Sequence, residues 1–100
     1  MRIYISGKIT GTTDYMQRFQ KAQEYLESSG YSVVNPARIN AEMPKDTTWQ
    51  QYMAVSLTLL ETCEAIYMID GWKDSEGART EYNYAVTNNI NVYYEKGEEL

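Results

Sequence analysis

The sequence predicts an α/β domain: a parallel sheet with helices on both faces. Three observations support this. Short β-branched and aromatic runs alternate with segments of helical periodicity. The run Ala65-Ile66-Tyr67-Met68-Ile69 is continuously apolar, as a central strand covered on both sides requires. Two of the strands run into glycine-bearing loops, one after Ser6 and one after Ile69.

Residues 2–6 read as the first strand, ending in a glycine turn. Over residues 15–29, Met16, Phe19, Ala22 and Leu26 recur at spacings of three and four, which predicts an amphipathic helix closed by Gly30. Residues 31–34 form a short second strand, stopped by Asn35-Pro36. Residues 36–47 read as a polar loop. Asp46, Thr47 or Thr48 then caps a helix with Trp49, Met53, Leu57 and Leu60 on one face. After the third strand and a loop over residues 70–76, a third helix runs from about Gly77 to Asn88. Residues 90–94 are the last strand, and the acidic stretch from Glu95 to Leu100 is expected to fray. Right-handed crossovers give the strand order 2-1-3-4, a three-layer Rossmann- or flavodoxin-like arrangement. A ligand then sits beyond the C-terminal strand ends, where the winding reverses between strands 1 and 3. The two glycine-bearing loops follow those two strands.

Composition narrows the chemistry. One hundred residues with 43% hydrophobic content make one globular domain with a modest core. A net charge of -5 argues against a nucleic acid polymer as partner, which needs a basic face. No apolar run reaches membrane-spanning length and the first residues lack a signal-peptide layout, so a cytoplasmic protein with no membrane partner is expected. Histidine is absent and Cys63 is the only cysteine, which excludes an internal disulfide, a Cys/His zinc site and His-dependent triads. No metal and no cofactor are expected; chemistry falls to carboxylates, hydroxyls, Lys, Arg and backbone groups. Ten tyrosines and two tryptophans stand against one phenylalanine. Most serve as amphipathic packing, with some at a pocket or subunit interface.

Two segments can hold a ligand. In Ser6-Gly7-Lys8-Ile9-Thr10-Gly11, glycine lets backbone amides converge on an anion, while Lys8 and the hydroxyls of Ser6, Thr10 and Thr12 add donors. An ordinary strand-to-helix turn is the competing reading. In the segment Asp70–Glu81, Asp74 or Ser75 caps the third helix, and Gly77 and Ala78 let a ligand approach its first turn. Gly71 precedes Trp72, which either stacks on a base or covers the core. Glu81 lies near the positive end of the helix, which favours its ionised form. Tyr4 alternates with Ile3 and Ile5, so its hydroxyl faces the other side of the sheet and can reach a carboxylate on the third helix.

Four stretches together resemble the nucleoside 2-deoxyribosyltransferase superfamily, and more closely its small phage and bacterial branch. They are Met1-Arg2-Ile3-Tyr4-Ile5-Ser6-Gly7-Lys8-Ile9-Thr10-Gly11, Trp49-Gln50-Gln51-Tyr52-Met53, Cys63-Glu64-Ala65-Ile66-Tyr67, and Gly71-Trp72 with Ser75, Gly77, Ala78 and Glu81. The stretch from Tyr4 to Gly11 is also similar to the turn of deoxynucleoside 5′-monophosphate N-glycosidases. The resemblance spans nearly the whole chain and implies one domain over residues 1–100. It implies that Glu81 is the nucleophile attacking the anomeric carbon of a deoxyribose, oriented by Tyr4, and that Ser75 contacts a phosphate. It further implies that Gly7, Ile9 and Gly11 approach base and phosphate.

One position departs from the pattern. Ser56 stands where the family usually has an aspartate, eight residues before Glu64, and it supplies no negative charge to a developing cation. Asp70 is the nearest candidate to compensate. The implied function is a nucleotide N-glycosidase or deoxyribosyltransferase acting on a small-molecule nucleotide or nucleoside. The alternative is a non-catalytic phage-type binder that sequesters a nucleotide-derived signal, which would act in the host cytoplasm. A structural or interaction module is the third class. The resemblance also implies a homo-oligomer with shared sites.

Overall fold

A computed structural model describes residues 1–97. Strand β1 (Arg2–Ser6) leads to helix α1 (Tyr15–Ser28), then to β2 (Ser32–Val34), α2 (Pro36–Ala41), α3 (Trp49–Glu61) and β3 (Ala65–Met68). A single 3-10 turn (Trp72–Asp74) precedes α4 (Glu76–Thr87) and β4 (Asn91–Tyr94). All strand pairs are parallel, in the order β2-β1-β3-β4. This is the expected sheet, with the reversal of winding between β1 and β3.

The side-chain alternation of β1 divides the core into two layers. Ile3 and Ile5 pack with Phe19, Ala22 and Leu26 of α1 and with Ala37 of α2. Tyr4 faces the other way and packs with Leu60 of α3 and with Ala78 and Ala85 of α4. Ile66 and Met68 of β3 join this second layer. The whole of β3 is buried, as its unbroken apolar run predicts. Gly30, at φ +93°, takes the left-handed conformation that closes α1.

The structure corrects the reading of residues 36–47 as a loop, because the stretch opens with α2. Asn35 Oδ1 accepts hydrogen bonds from the amides of Ala37 (3.1 Å) and Arg38 (3.4 Å), and Pro36 takes the first helical position. Asn35-Pro36 therefore ends β2 and starts a helix at once, since proline's fixed φ suits both duties. Of the three candidate caps for α3, Thr48 is used. It forms a capping box: its Oγ1 accepts from the Gln51 amide at 3.1 Å, and its own amide donates to Gln51 Oε1 at 2.8 Å. The acidic tail begins anchored rather than frayed. The Glu95 amide bonds Met68 O, and Glu95 Oε1 accepts from the Asp70 amide at 2.8 Å. The remainder of the tail, residues 98–100, lies outside the described residues. Among the described residues, no helix is long and apolar enough to cross a membrane.

Candidate functional site

Tyr4 and Ser6 are two residues apart on β1, so their side chains point to the same face. That face is covered by α4, where Glu81 stands between them. Tyr4 Oη donates to Glu81 Oε2 at 2.5 Å, and Ser6 Oγ donates to Oε1 at 2.6 Å. Each carboxylate oxygen thus has its own hydroxyl donor. The group is almost dry: Tyr4 and Ser6 are fully buried and Glu81 is 7% exposed. Ser56 of α3, also buried, interacts through its hydroxyl with Tyr4 and completes the chain Ser56–Tyr4–Glu81–Ser6.

Burial governs the charge of this network. Desolvation pushes the Glu81 carboxyl from 4.5 up to about 7, against the opposing pull of the Ser6 and Tyr4 hydrogen bonds. The expectation that the position near the helix start favours the ionised form of Glu81 is corrected on this point, because desolvation outweighs the hydrogen bonds that favour the charge. The Tyr4 phenol is pushed well above its ordinary 10.0, first by burial and then by the neighbouring Glu81 charge. Tyr4 therefore stays protonated and serves as a donor. The Ser56 contact works in the opposite direction on the phenol.

Above this network opens a cleft of about 650 Å³, within the size range of small-molecule sites. Glu81, Tyr4 and Ser56 lie at its polar floor. One wall is the β1–α1 loop, with Gly7, Lys8, Ile9 and Thr10. Another is the first turn of α4, with Ser75, Gly77 and Ala78. Ser75 caps that helix, its Oγ accepting from the Ala78 amide at 3.1 Å. Both glycines keep space open. A Cβ on Gly7 would stand 3.0 Å from Ile69 Cβ, so only glycine lets the ends of β1 and β3 approach this closely. A Cβ on Gly77 would project beside Met53 Sδ (3.4 Å) and Trp49 Nε1 (3.9 Å).

Several singled-out residues lie elsewhere. Ser6 is beneath the cleft and holds Glu81 rather than lining the ligand space. Gly11, at φ +84°, shapes the loop but does not line the cleft, and Thr12 bonds back to Ile9 O. Asp70, Gly71 and Trp72 are not among the lining residues. Asp70 is exposed and paired with Lys96 at 3.8 Å, so it cannot supply the charge that Ser56 lacks. Gly71 takes φ +89° to turn the chain into the 3-10 turn. Trp72 is 5% exposed and stacked on Tyr82 at 4.8 Å, so it covers the core rather than offering a face to a base.

Other residues line the cleft that sequence reasoning had not assigned to it. Trp49 and Met53 were expected on a core-facing stripe, and Tyr52 had no assigned place. The buried residues of α3 are Ser56 and Leu60 in its later turns, while Trp49, Tyr52 and Met53 near its start line the cleft. Asn40, Met43 and Lys45 come from the region read as a loop, so no periodicity marked them.

Over the whole of this chain, the fold is similar to that of a 2-deoxyribosyltransferase from the psychrotolerant bacterium Bacillus psychrosaccharolyticus, a protein characterised as a biocatalyst for nucleoside synthesis. The TM-score is 0.76, the identity is 16%, and the match covers 77% of that chain, a likeness of fold. No curated protein matches the chain by sequence. A family model does: the one for the domain of unknown function DUF4406 matches residues 1–94, and the chain belongs to that family.

Proposed function

We propose that the cleft binds a nucleoside or nucleotide and that Glu81 attacks the anomeric carbon of its sugar, breaking the bond to the base. One observation carries the reading: a buried carboxylate at the floor of the cleft has each oxygen held by a separate hydroxyl, from Tyr4 and Ser6. Such a carboxylate is fixed in position and poorly solvated, as a nucleophile toward an oxocarbenium-like centre should be. Departure of the base leaves a glycosyl ester on Glu81. Water then returns the free sugar, giving an N-glycosidase, or a second base accepts the sugar, giving a deoxyribosyltransferase. Ser75, the first turn of α4 and Lys8 border the same cleft and offer donors to a 5′-phosphate. The similarity in fold to a 2-deoxyribosyltransferase supports the same assignment. We further propose a kinship to monophosphate N-glycosidases, from the Tyr4-to-Gly11 turn and the Ser75-to-Glu81 spacing, and to the phage and bacterial branch, from the four sequence stretches together. In keeping with that kinship, the protein is proposed to work as a cytoplasmic homo-oligomer whose open clefts are completed by a neighbouring copy.

The test is incubation with the four deoxynucleoside 5′-monophosphates, followed by chromatography for free base. Release by the wild type and none by Glu81→Ala is expected. Equal release by both would remove Glu81 from the chemistry.

Ser56 favours a second reading. Buried and neutral, Ser56 itself adds no negative charge beside the reacting carbon. The protein would then hold its ligand intact and sequester a nucleotide-derived signal. Calorimetric binding without base release is the outcome expected of such a binder.

A further inference from the structure

The charges of this chain are unevenly spread over its helices. The sequence is 23% charged, and α1 carries its share, with Lys21, Glu24 and Glu27 all exposed. α3 is of similar length and has no charged residue from Trp49 to Leu60. The stretch from Tyr82 to Tyr94, which holds the later turns of α4 and all of β4, has none either. A solvated helix face ordinarily carries charged side chains. Here the exposed positions are neutral, among them Ala54 and Thr58 on α3 and Asn83 on α4.

The two helices are neighbours. Both cover the side of the sheet that Tyr4 faces, where Leu60, Ala78 and Ala85 share one core layer. Gly77 of α4 lies against Met53 of α3. The neutral positions therefore join into one surface. Apolar side chains of these helices are left partly uncovered: Val55, Leu57 and Tyr84 are half-buried, and Val86 is 51% exposed. A surface stripped of charge and bearing tyrosine has the composition of an interface centre rather than of a solvated face.

Charge also selects the occupant. Each copy of the chain has a net charge of -5, so two copies repel wherever their charged surfaces meet. Repulsion is least at the α3–α4 face. That face has little to offer an acidic partner, because the cation of α4, Arg79, is turned back to donate to Lys73 O at 2.6 Å. A twofold axis lays the face on itself, so neutral surface meets neutral surface. Both helices also start at the cleft, with Trp49 and Glu76 among its lining residues, so a copy seated on them stands beside the cleft mouth.

We propose that a second copy of this chain docks on the α3–α4 face, in a twofold pair that covers Ala54, Thr58 and Asn83. This deepens the homo-oligomeric part of the reading above by naming the surface, and it holds whichever ligand the cleft takes.

The test is sedimentation velocity of the full chain without nucleotide, from about 1 to about 100 μM. The wild type is expected as an even-numbered assembly. Ala54→Glu puts a charge on the face, twice over in a symmetric pair, and should raise the dissociation constant at least about tenfold. Asn83→Glu should do the same from α4. Gln17→Glu, at an exposed position of α1, adds the same net charge away from the face and should leave the constant within about twofold. Thr58→Lys replaces either face variant that lacks the wild-type helix content by circular dichroism. A wild type that is monomeric or odd-numbered at the highest concentration overturns the proposal. So does pairing that survives a charge on the face, or that Gln17→Glu disrupts equally. Base release and nucleotide binding, measured on the same samples, keep the two readings apart. A monomer that binds or cleaves nucleotides removes the interface and leaves the nucleotide site. A pair that does neither removes the site and leaves the interface.

Discussion

At the scale of single residues, the protonation of Glu81 governs both stability and reactivity. Its folded value of about 7 lies above the ordinary 4.5, so between these values the folded chain holds a proton that the unfolded chain has lost. Stability from this group is therefore complete below pH 4.5 and is lost as pH rises through about 7. Comparing urea unfolding of the wild type and Glu81→Gln at pH 5 and pH 8 reads this directly. The wild type should lose about 3 kcal/mol relative to the variant over that range; a constant difference would mean that Glu81 titrates normally. The same group sets the rate. Attack needs the carboxylate, so kcat/KM for base release should rise about tenfold per pH unit below the Glu81 midpoint and level off above it. Tyr4→Phe removes a donor that favours the carboxylate. Its activity limb should move to higher pH, and the loss of the buried bond should cost about 1–3 kcal/mol of stability in denaturant titration. An unshifted limb would show that Tyr4 does not tune the nucleophile.

At the scale of elements, two helix starts shape the cleft. The capping box at Thr48 fixes where α3 begins and hence where Trp49, Tyr52 and Met53 project. Thr48→Ala should cost about 0.5–2 kcal/mol, read as a lowered melting temperature. Gly77 sits in the first turn of α4, where alanine would suit a helix better by up to about 1 kcal/mol. Gly77→Ala should therefore leave the free protein as stable or more so while weakening nucleotide binding, since the added methyl enters the cleft beside Met53. Unchanged affinity would place the ligand away from α4. Element identity was legible where periodicity was clean, as in α1 and β3. The alternation of Ile3, Tyr4 and Ile5 also separated the two core layers in advance. α2 was missed because six residues are too few to display a period, and its start signal, Asn35-Pro36, doubles as a strand stop. Trp72 was ambiguous for a different reason: a tryptophan after glycine looks exposed until Tyr82, a residue on the following helix, stacks on it.

At the scale of the whole molecule, topology places the cleft. Crossing from β1 to β3 reverses the side on which the following helix packs, and the crevice opens where the two connections part. Strand order follows from element order and handedness alone, so this much was readable from sequence. The pairing of Ser6 with Glu81 was not, since it spans 75 positions and depends on how α4 rotates over β1. Nor was the raised affinity of Glu81 for its proton, because desolvation belongs to the packed state rather than to any neighbour in sequence. The most direct measurement of the central claim is intact-protein and peptide mass spectrometry after incubation with 2′-fluoro-arabinonucleoside 5′-monophosphates, whose fluorine slows breakdown of a glycosyl ester. A sugar-phosphate adduct on the peptide bearing Glu81, absent from Glu81→Gln, is the result expected. Tight nucleotide binding with neither adduct nor base release from any natural deoxynucleotide would contradict it.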